Sequence, residues 1–552
     1  MPQTPKISNP VDKPVLVLKF GGTSVGKFVQ NICGQIIPNL LKTHRVIVVC
    51  SARSTDVKAK GTTTRLVKAS DAVLGDITAD YQQIVQDILD DHIDAVQQSI
   101  DDETIKKDLS ENLTNECRRL KVFLEAAEVI NEVSPKSKDI IVGTGEKLAC
   151  EFVAAVLRDK GVDATYVNLE KAIDRHFDPS HLDQTFYDYL SKRFAHLIDE
   201  CDHSSVPVVT GYFGPCPGSI LYSIGRGYTD LTAALIAVGV GAQELQVWKE
   251  VDGIFTADPR KVPSARLLKI ITPEEAAELT YYGSEVIHPF TMEQVIRASI
   301  PIRIKNVQNA EGAGTVIFPD LLSRPTSRGS NTTHSPGSPI MQPLSTPEIL
   351  LENGYMLDLS RRHPTAVTIK DEITVLNIHS NRKSVSHGFF ARIFSILDKY
   401  GITVDLISTS EVHVSMALSS SVVERNLQPA IEELSSLGAV DILHNMAILS
   451  LVGKQMRNMV GIAGRMFQTL AKSGVNIEMI SQGASEINIS CVIDNGKSSV
   501  ALRAIHENLL SGAKNNLLED PEVLRELKHR GLTNSLQSSM SELSLIGLRN
   551  KH

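Results

Sequence analysis

Two apolar runs near the N-terminus, VLVLKF (Val15–Phe20) and RVIVVCSA (Arg45–Ala52), narrow what this chain can fold into. Neither alternates polar with apolar residues, so each predicts a strand buried on both faces. Between them Val29, Ile32, Cys33, Ile36, Ile37, Leu40 and Leu41 recur at helical spacing. The result is a strand–loop–helix–strand unit. The same alternation runs through the first ~320 residues, the pattern of an α/β layer fold. Further strands are expected at Ile140–Val142, Ala164–Asn168, Val206–Tyr212, Leu245–Trp248 and Ile302–Lys305, and Leu66 to Val133 reads as a mainly helical insertion or cap.

The composition then changes. Pro319 to Glu348 is rich in Pro, Ser, Thr and Gly. It buries too little apolar surface to offset its ordering entropy, so a flexible linker is expected. Beyond it the chain repeats itself. Gly388–Ser415 aligns with Gly461–Ser490, with Phe394 opposite Phe467, Leu397 opposite Leu470 and Gly401 opposite Gly474. Each copy reads as an amphipathic helix, a glycine stop, a strand, a turn and a second strand. Upstream runs at Thr374–Ile378 and Ala447–Val452 would supply each copy's first strand. The expected division is an N-terminal extension (1–14), an α/β domain (15–318), a linker (319–360), two small α+β modules (361–440 and 441–530) and a serine-rich tail (531–552).

The formal net charge of −8 argues against a nucleic-acid or anionic-membrane partner, because such proteins concentrate Lys and Arg. The cysteine count of seven is odd and no C-x-x-C pair occurs, so buried free thiols are expected rather than disulfides or a metal centre. The polar, proline-spotted N-terminus lacks the apolar core of a signal peptide, and no apolar run approaches the ~18 residues of a membrane helix. A cytoplasmic setting follows as the expectation.

The chemistry begins at VLKFGGTSVGKF (Val17–Phe28). Gly21, Gly26 and Lys27 fall one residue short of a P-loop, because Phe28 stands where the magnesium-binding hydroxyl should be. Glycines between a strand and a helix still let backbone N–H groups approach an anion. Lys19, at the strand's end, would face whatever the loop cradles; a plain glycine turn with a solvated lysine is the other reading. In GRGYTDLTAALIA (Gly225–Ala237) Arg226 suits a bidentate grip on a carboxylate, while Thr229 or Asp230 could simply cap a helix. In GTGEKLACEF (Gly143–Phe152) Glu146 either opens a helix, complementing its dipole, or serves a substrate.

LKFGGTSVG is very similar to the N-terminal signature of the aspartokinases, members of the amino-acid kinase family, which binds ATP without a P-loop. The resemblance implies an α/β, carbamate kinase-like three-layer sandwich followed by two ferredoxin-like ACT modules. It makes Lys19 and Asp230 catalytic. It assigns Lys19, Phe20, Gly21, Gly22, Lys249, Glu250, Phe255, Arg260, Glu285 and Val286 to ATP, and Ser51, Thr64, Glu146, Arg226 and Thr229 to the amino-acid substrate. This chain departs from the bacterial pattern at Lys249-Glu250, Phe255 and Glu285, where that pattern has Thr-Asp, Tyr and Lys. His288 reads as structural. In the ACT modules Gly388, Phe389, Val404, Asp405, Ser410 and Glu411, with Asn476, Ile477 and Glu478, would line an effector pocket; core and turn residues of a dimerisation module are the alternative.

The implied reaction moves the γ-phosphoryl group of ATP, with Mg²⁺, to the side-chain carboxylate of L-aspartate. That carboxylate, with an ordinary pKa of ~3.9, is already a nucleophile at neutral pH, so no general base is expected; no side chain is assigned to a metal. Catalysis reduces to alignment and charge stabilisation. KVPSARLL and MEQVIRASIPIRIKNVQN most resemble the monofunctional fungal, threonine-inhibited type, which implies L-threonine as inhibitor and a homo-oligomer joined through ACT modules. The rivals are a kinase for glutamate, carbamate or UMP, and a catalytically silent amino-acid sensor on the same scaffold.

Overall fold

The computed structural model describes residues 6–55, 60–75, 79–178, 182–216, 218–225, 227–281, 287, 289–317, 364–380, 388–410, 413–454, 456, 459–483 and 487–510. The linker, the serine-rich tail, Arg226, Glu285, Val286, His288 and Glu411 lie outside them. The chain forms two compact units. The first comprises Met1–Ile254 and Leu267–His334, the second Phe255–Arg266 and Ser335–His552.

The first unit is built on an eight-stranded sheet in the order β3-β4-β2-β1-β5-β7-β8-β6. Its strands are β1 (Val15–Phe20), β2 (Arg45–Cys50), β3 (Ala164–Val167), β4 (Val206–Thr210), β5 (Glu244–Lys249), β6 (Ile270–Ile271), β7 (Ile302–Asn306) and β8 (Thr315–Ile317). The two opening apolar runs pair in parallel, Val15 with Arg45 through Phe20 with Cys50, and β5 flanks β1 on the other side. Only β8 runs antiparallel to its neighbour β7. Connections after β1 lead to one side of the sheet and those after β5 to the other. That switch places a crevice at the carboxyl ends of β1 and β5.

Helix α1 (Gly22–Lys27) follows β1 directly, and α2 (Val29–Asn31) and α3 (Ile37–Leu41) continue it around a π-helical turn at Ile32–Ile36. The expected helical insertion is α4 (Thr62–Val73), α5 (Tyr81–Ser99) and α6 (Glu103–Ile130). Asp80 and Asp102 cap α5 and α6 by accepting from the amides of Gln82, Thr104 and Ile105. With α7 (Pro135–Asp159) these helices bury one apolar cluster against the sheet. The other face carries α8 (Gln184–Asp199) and α10 (Tyr228–Gly239), so the sandwich has three layers. Short α9 (Ile220–Ser223) leads into α10, and α11 (Pro273–Tyr281) and α12 (Pro289–Arg297) lie between β6 and β7.

One strand expectation fails. Ile140–Val142 lies inside α7, which starts at an N-cap Ser134 with Pro135 in its first turn. Nearly every residue of α7 from Ile141 to Leu157 is buried. A helix enclosed on all sides has no polar stripe, so its apolar run mimics a buried strand. Glu146 therefore stands in mid-helix rather than opening one.

The second unit carries a six-stranded sheet, β10-β11-β9-β12-β14-β13. The two upstream runs are not short strands confined to one module each. They are the 15-residue strands β9 (Ala366–Ser380) and β12 (Gly438–Val452), paired antiparallel along their lengths. The later half of β9 pairs with β11 (His413–Ser419), and the later half of β12 with β14 (Asn488–Asp494), so each long strand serves both copies. Edge strands β10 (Leu406–Thr409) and β13 (Met479–Ser481) complete the sheet. Equivalent points of the repeat share unusual backbone: Glu372 and Asn445 both have φ of 58°, and Gly388 and Gly461, the helix N-caps, have φ of 84° and 83°.

Phe255–Arg266 falls within the stretch read from sequence as the α/β domain, yet it belongs to the second unit. Ala257 and Val262 sit in that unit's core with Val367, Leu449 and Ile505, and the Thr256 carbonyl accepts from the Val367 amide.

Candidate active site

The glycine loop answers the P-loop question through its packing. A Cβ at Gly22 would lie 2.2 Å from the Ala52 carbonyl oxygen, and one at Gly26 would lie 1.9 Å from that of Ser54. These two glycines, one helical turn apart, let α1 press against the loop after β2. Gly21 has open space where its side chain would be. Lys27 is exposed in the last turn of α1, and Ser24 donates to the Glu250 carboxylate at 2.7 Å, tying α1 to the end of β5. Gly26 thus serves helix packing, and the open edge of the loop is at Gly21.

Lys19 occupies the penultimate position of β1, between Val49 and Val247 of the neighbouring strands. Its side chain is 8% exposed and its Nζ lies 2.8 Å from Asp230 Oδ1 in the first turn of α10. The N-cap of α10 is Gly227, and no side chain caps it. The capping alternative for Thr229 and Asp230 is therefore corrected: both side chains are committed elsewhere, Asp230 to Lys19 and Thr229 to Glu146.

Glu146 projects from α7 and is almost fully buried. Thr229 Oγ1 donates to its Oε1 at 2.6 Å. Its Oε2 is buried without a well-formed hydrogen bond among the described residues. Burial pushes the Glu146 carboxyl up to about 7; hydrogen bonding from Thr229, the nearby Tyr212 amide and Tyr228 hydroxyl, and the charge of Lys19 work in the other direction. Such a group is an incomplete ion pair, a buried carboxylate oxygen in want of a cation or donor.

Glycines bring this carboxylate into range. A Cβ on Gly211, just past β4, would strike Thr229 at 2.4 Å and Glu146 Oε2 at 2.8 Å. On α7, a Cβ on Gly143 would meet the Tyr212 ring at 2.4 Å, and one on Gly145 would touch Ala52, Leu66 and Thr62 at 3.0 Å. Glycine within a helix costs ~1 kcal/mol relative to alanine. Gly143→Ala is nonetheless expected to lower the melting temperature and raise KM for the substrate, because Tyr212 must move; a more stable variant with unchanged KM would show that the close approach is dispensable.

The structure thus brings together Lys19, Gly21, Gly22, Glu146, Thr229 and Asp230 near the ends of β1 and β4. Ser51, whose amide bonds the Phe20 carbonyl, and Thr64 in the first turn of α4 are half-buried on the β2 side. Phe20 is buried and stacks on Trp248 at 6.0 Å, so its side chain is core. Lys249 ends β5 and Glu250 follows it in the same unit. Phe255 and Arg260 belong to the second unit, where Arg260 is exposed and grips Asp258 at 2.9 and 3.0 Å. The sequence reading missed Ser24, Gly211 and Tyr228; a glycine inside the expected strand Val206–Tyr212, where its lack of a side chain allows a close approach, was the available signal for Gly211.

Comparison with known proteins gives the site its context. The amino acid kinase family matches residues 14–306, and an ACT domain matches residues 449–509. The aspartokinase of Schizosaccharomyces pombe is 54% identical over 91% of this chain and 94% of its own length. That of Saccharomyces cerevisiae is 50% identical over 94% of this chain and 97% of its own. Aspartokinase III of E. coli, solved with aspartate and ADP, superposes with a TM-score of 0.64 at 25% identity, covering 90% of this chain and 100% of that one. A glycine loop without a P-loop hydroxyl, a lysine ending the first strand and a buried glutamate behind it now have a common explanation: the chain belongs to the aspartokinases of the amino acid kinase family and is an aspartate kinase.

Proposed function

We propose that the enzyme moves the γ-phosphoryl group of ATP to the β-carboxylate of L-aspartate with Lys19 as the stabiliser of charge on the transferring group. The carrying observation is the Lys19–Asp230 ion pair at the carboxyl end of β1, beside a buried Glu146. Asp230 orients Lys19. Glu146 receives the substrate's α-ammonium, Thr229 holds Glu146, and Arg226 takes the α-carboxylate. Ser51 and Thr64 bond the substrate from the β2 side, and the amides of Gly21 and Gly22 face the phosphates. Phe20, Lys249, Glu250, Glu285 and Val286 complete the nucleotide set in the first unit.

Mg²⁺ fits as the companion of the phosphates. Among the described residues no group of three or more His, Cys, Asp or Glu could hold a metal. A cation that binds through phosphates and one or two carboxylates needs no such group, and Asp230 is the carboxylate at hand. When bound, the ion offsets negative charge on the phosphate oxygens.

The reaction would open threonine, methionine and isoleucine biosynthesis in the cytoplasm, a setting supported by seven free cysteines. We further propose that L-threonine inhibits it through the ACT modules, which join copies of the chain. Exposed Phe390, Phe394, Ile407 and Ile480 in the second unit support self-association. Of the proposed effector residues, Gly388, Ser410, Asn476 and Glu478 are exposed, Val404 and Ile477 are half-buried, Phe389 is buried, and Asp405 is paired with Lys370 at 2.8 Å. Effector control requires different affinities for active and inactive states. A coupled assay with aspartate is expected to show inhibition by saturating threonine and none by lysine or methionine. Inhibition by lysine with none by threonine would reverse the assignment.

A further inference from the structure

A second carboxylate on α7 bears on substrate binding. Asp139 is 1% exposed and lies about two helical turns before Glu146, so the two share a face of the helix. The Tyr212 ring, packed on Gly143, sits between them. Among the described residues no cation pairs with Asp139. Its Oδ1 accepts from Ser219 Oγ at 2.8 Å and the Leu221 amide at 3.2 Å, and its Oδ2 accepts from the Ile220 amide at 2.6 Å.

These bonds grip an unusual segment. Gly218 and Ser219 have φ of 83° and 113°, and serine rarely adopts such a value without external restraint. The segment continues through α9 to Gly225, whose φ is 82°, and on to Gly227, the N-cap of α10. On the far side of this loop Thr229 is held by Glu146. One helix therefore holds the chain at Ser219–Leu221 and again at Thr229 with two buried carboxylates.

We propose that Asp139 is a positioning residue for aspartate binding: its carboxylate fixes residues 219–221, the segment that leads along the chain to Arg226. This rests on the reading of Arg226 as the residue that takes the substrate's α-carboxylate. Misplacement of a binding group by ~1 Å can cost about 10²-fold. Loss of an interaction made equally in ground and transition states appears in KM.

The test compares Asp139→Ala, Asp139→Asn, Ser219→Ala and Arg226→Ala in the full-length enzyme. Steady-state kinetics, ADP binding by calorimetry, and hydrogen exchange of residues 218–225 are measured for each. Asp139→Ala is expected to raise KM for aspartate by about 10- to 100-fold, leave ADP affinity unchanged and speed exchange in the loop stem. Asp139→Asn, which keeps one acceptor oxygen, is expected to fall between it and wild type. Ser219→Ala keeps both backbone bonds and so remains folded, with a rise of a few-fold. Unchanged KM for aspartate in Asp139→Ala, with a raised KM in Arg226→Ala, overturns the proposal. So does an equal loss of ADP affinity, which would mark Asp139 as generally structural. Unchanged KM in Arg226→Ala instead removes the underlying reading, and the exchange data still report whether Asp139 holds the stem.

Discussion

Lys19→Ala is expected to leave the fold intact and lower kcat by about 10³-fold or more, the scale seen when a cation is removed from a transferring phosphoryl group. The argument is positional. The Lys19 backbone is held in parallel register between Val49 and Val247, in the middle of an eight-stranded sheet. Its Nζ is held 2.8 Å from Asp230 in a site where both side chains are largely buried. A charge fixed this way needs no reorganisation when negative charge develops beside it. KM for ATP should move far less than kcat, because Lys19 is assigned to the transition state.

The single variant has a second consequence, and it can be separated from the first. Removing Lys19 leaves Asp230 unpaired. Breaking a fully buried pair costs about 3–5 kcal/mol, and the 15% exposure of Asp230 places this case at the lower end or beneath it. Lys19→Ala should therefore melt at lower temperature. Lys19→Ala combined with Asp230→Asn should recover stability while kcat stays low. Near-normal turnover in either variant, with ADP binding retained by calorimetry, would remove Lys19 from the chemistry.

The first unit's sheet was legible because its strands are apolar throughout and its crossover helices are periodic. Val15–Phe20, Arg45–Cys50 and Ala164–Val167 stand where the pattern put them, at most a residue or two apart. The pattern failed where periodicity carries no information. Helix α7 is buried on nearly every side, so Ile140–Val142 looked like a strand. The short strands Ile270–Ile271 and Thr315–Ile317 are too brief to show any period. The repeat was visible in sequence, but strand sharing by β9 and β12 was not, because pairing along 15 residues is decided by partners far apart in the chain. The same holds for Phe255–Arg266, whose place in the second unit depends on Ala257 and Val262 meeting a core formed elsewhere. At the site, Thr229 and Asp230 had the composition of a helix cap. Only the third dimension shows that Glu146 and Lys19 claim those side chains instead.

Glu146→Gln is expected to raise KM for aspartate by about 10²-fold, the order lost when one partner of a buried charged contact is neutralised. It should also abolish the pH dependence expected of the wild type. In the ligand-free protein burial pushes the Glu146 carboxyl up to about 7, so near neutrality it is divided between protonated and ionised forms. On the proposed role of Glu146, the substrate's ammonium binds the ionised form. KM for aspartate should therefore rise about tenfold for each pH unit below about 7 and level off above it. The stability linkage has the opposite sense. An acid whose folded pKa exceeds its ordinary value contributes stability that is complete below about pH 4 and lost as pH climbs through about 7. Aspartate should offset that loss, so its thermal stabilisation of the wild type should be larger at about pH 8 than at about pH 6. A glutamine has no proton to release and should give flat profiles in both measurements. If Glu146→Gln kept the wild-type slope in KM, another group would be titrating, and the buried carboxylate would be holding Thr229 and α10 in place rather than receiving the substrate.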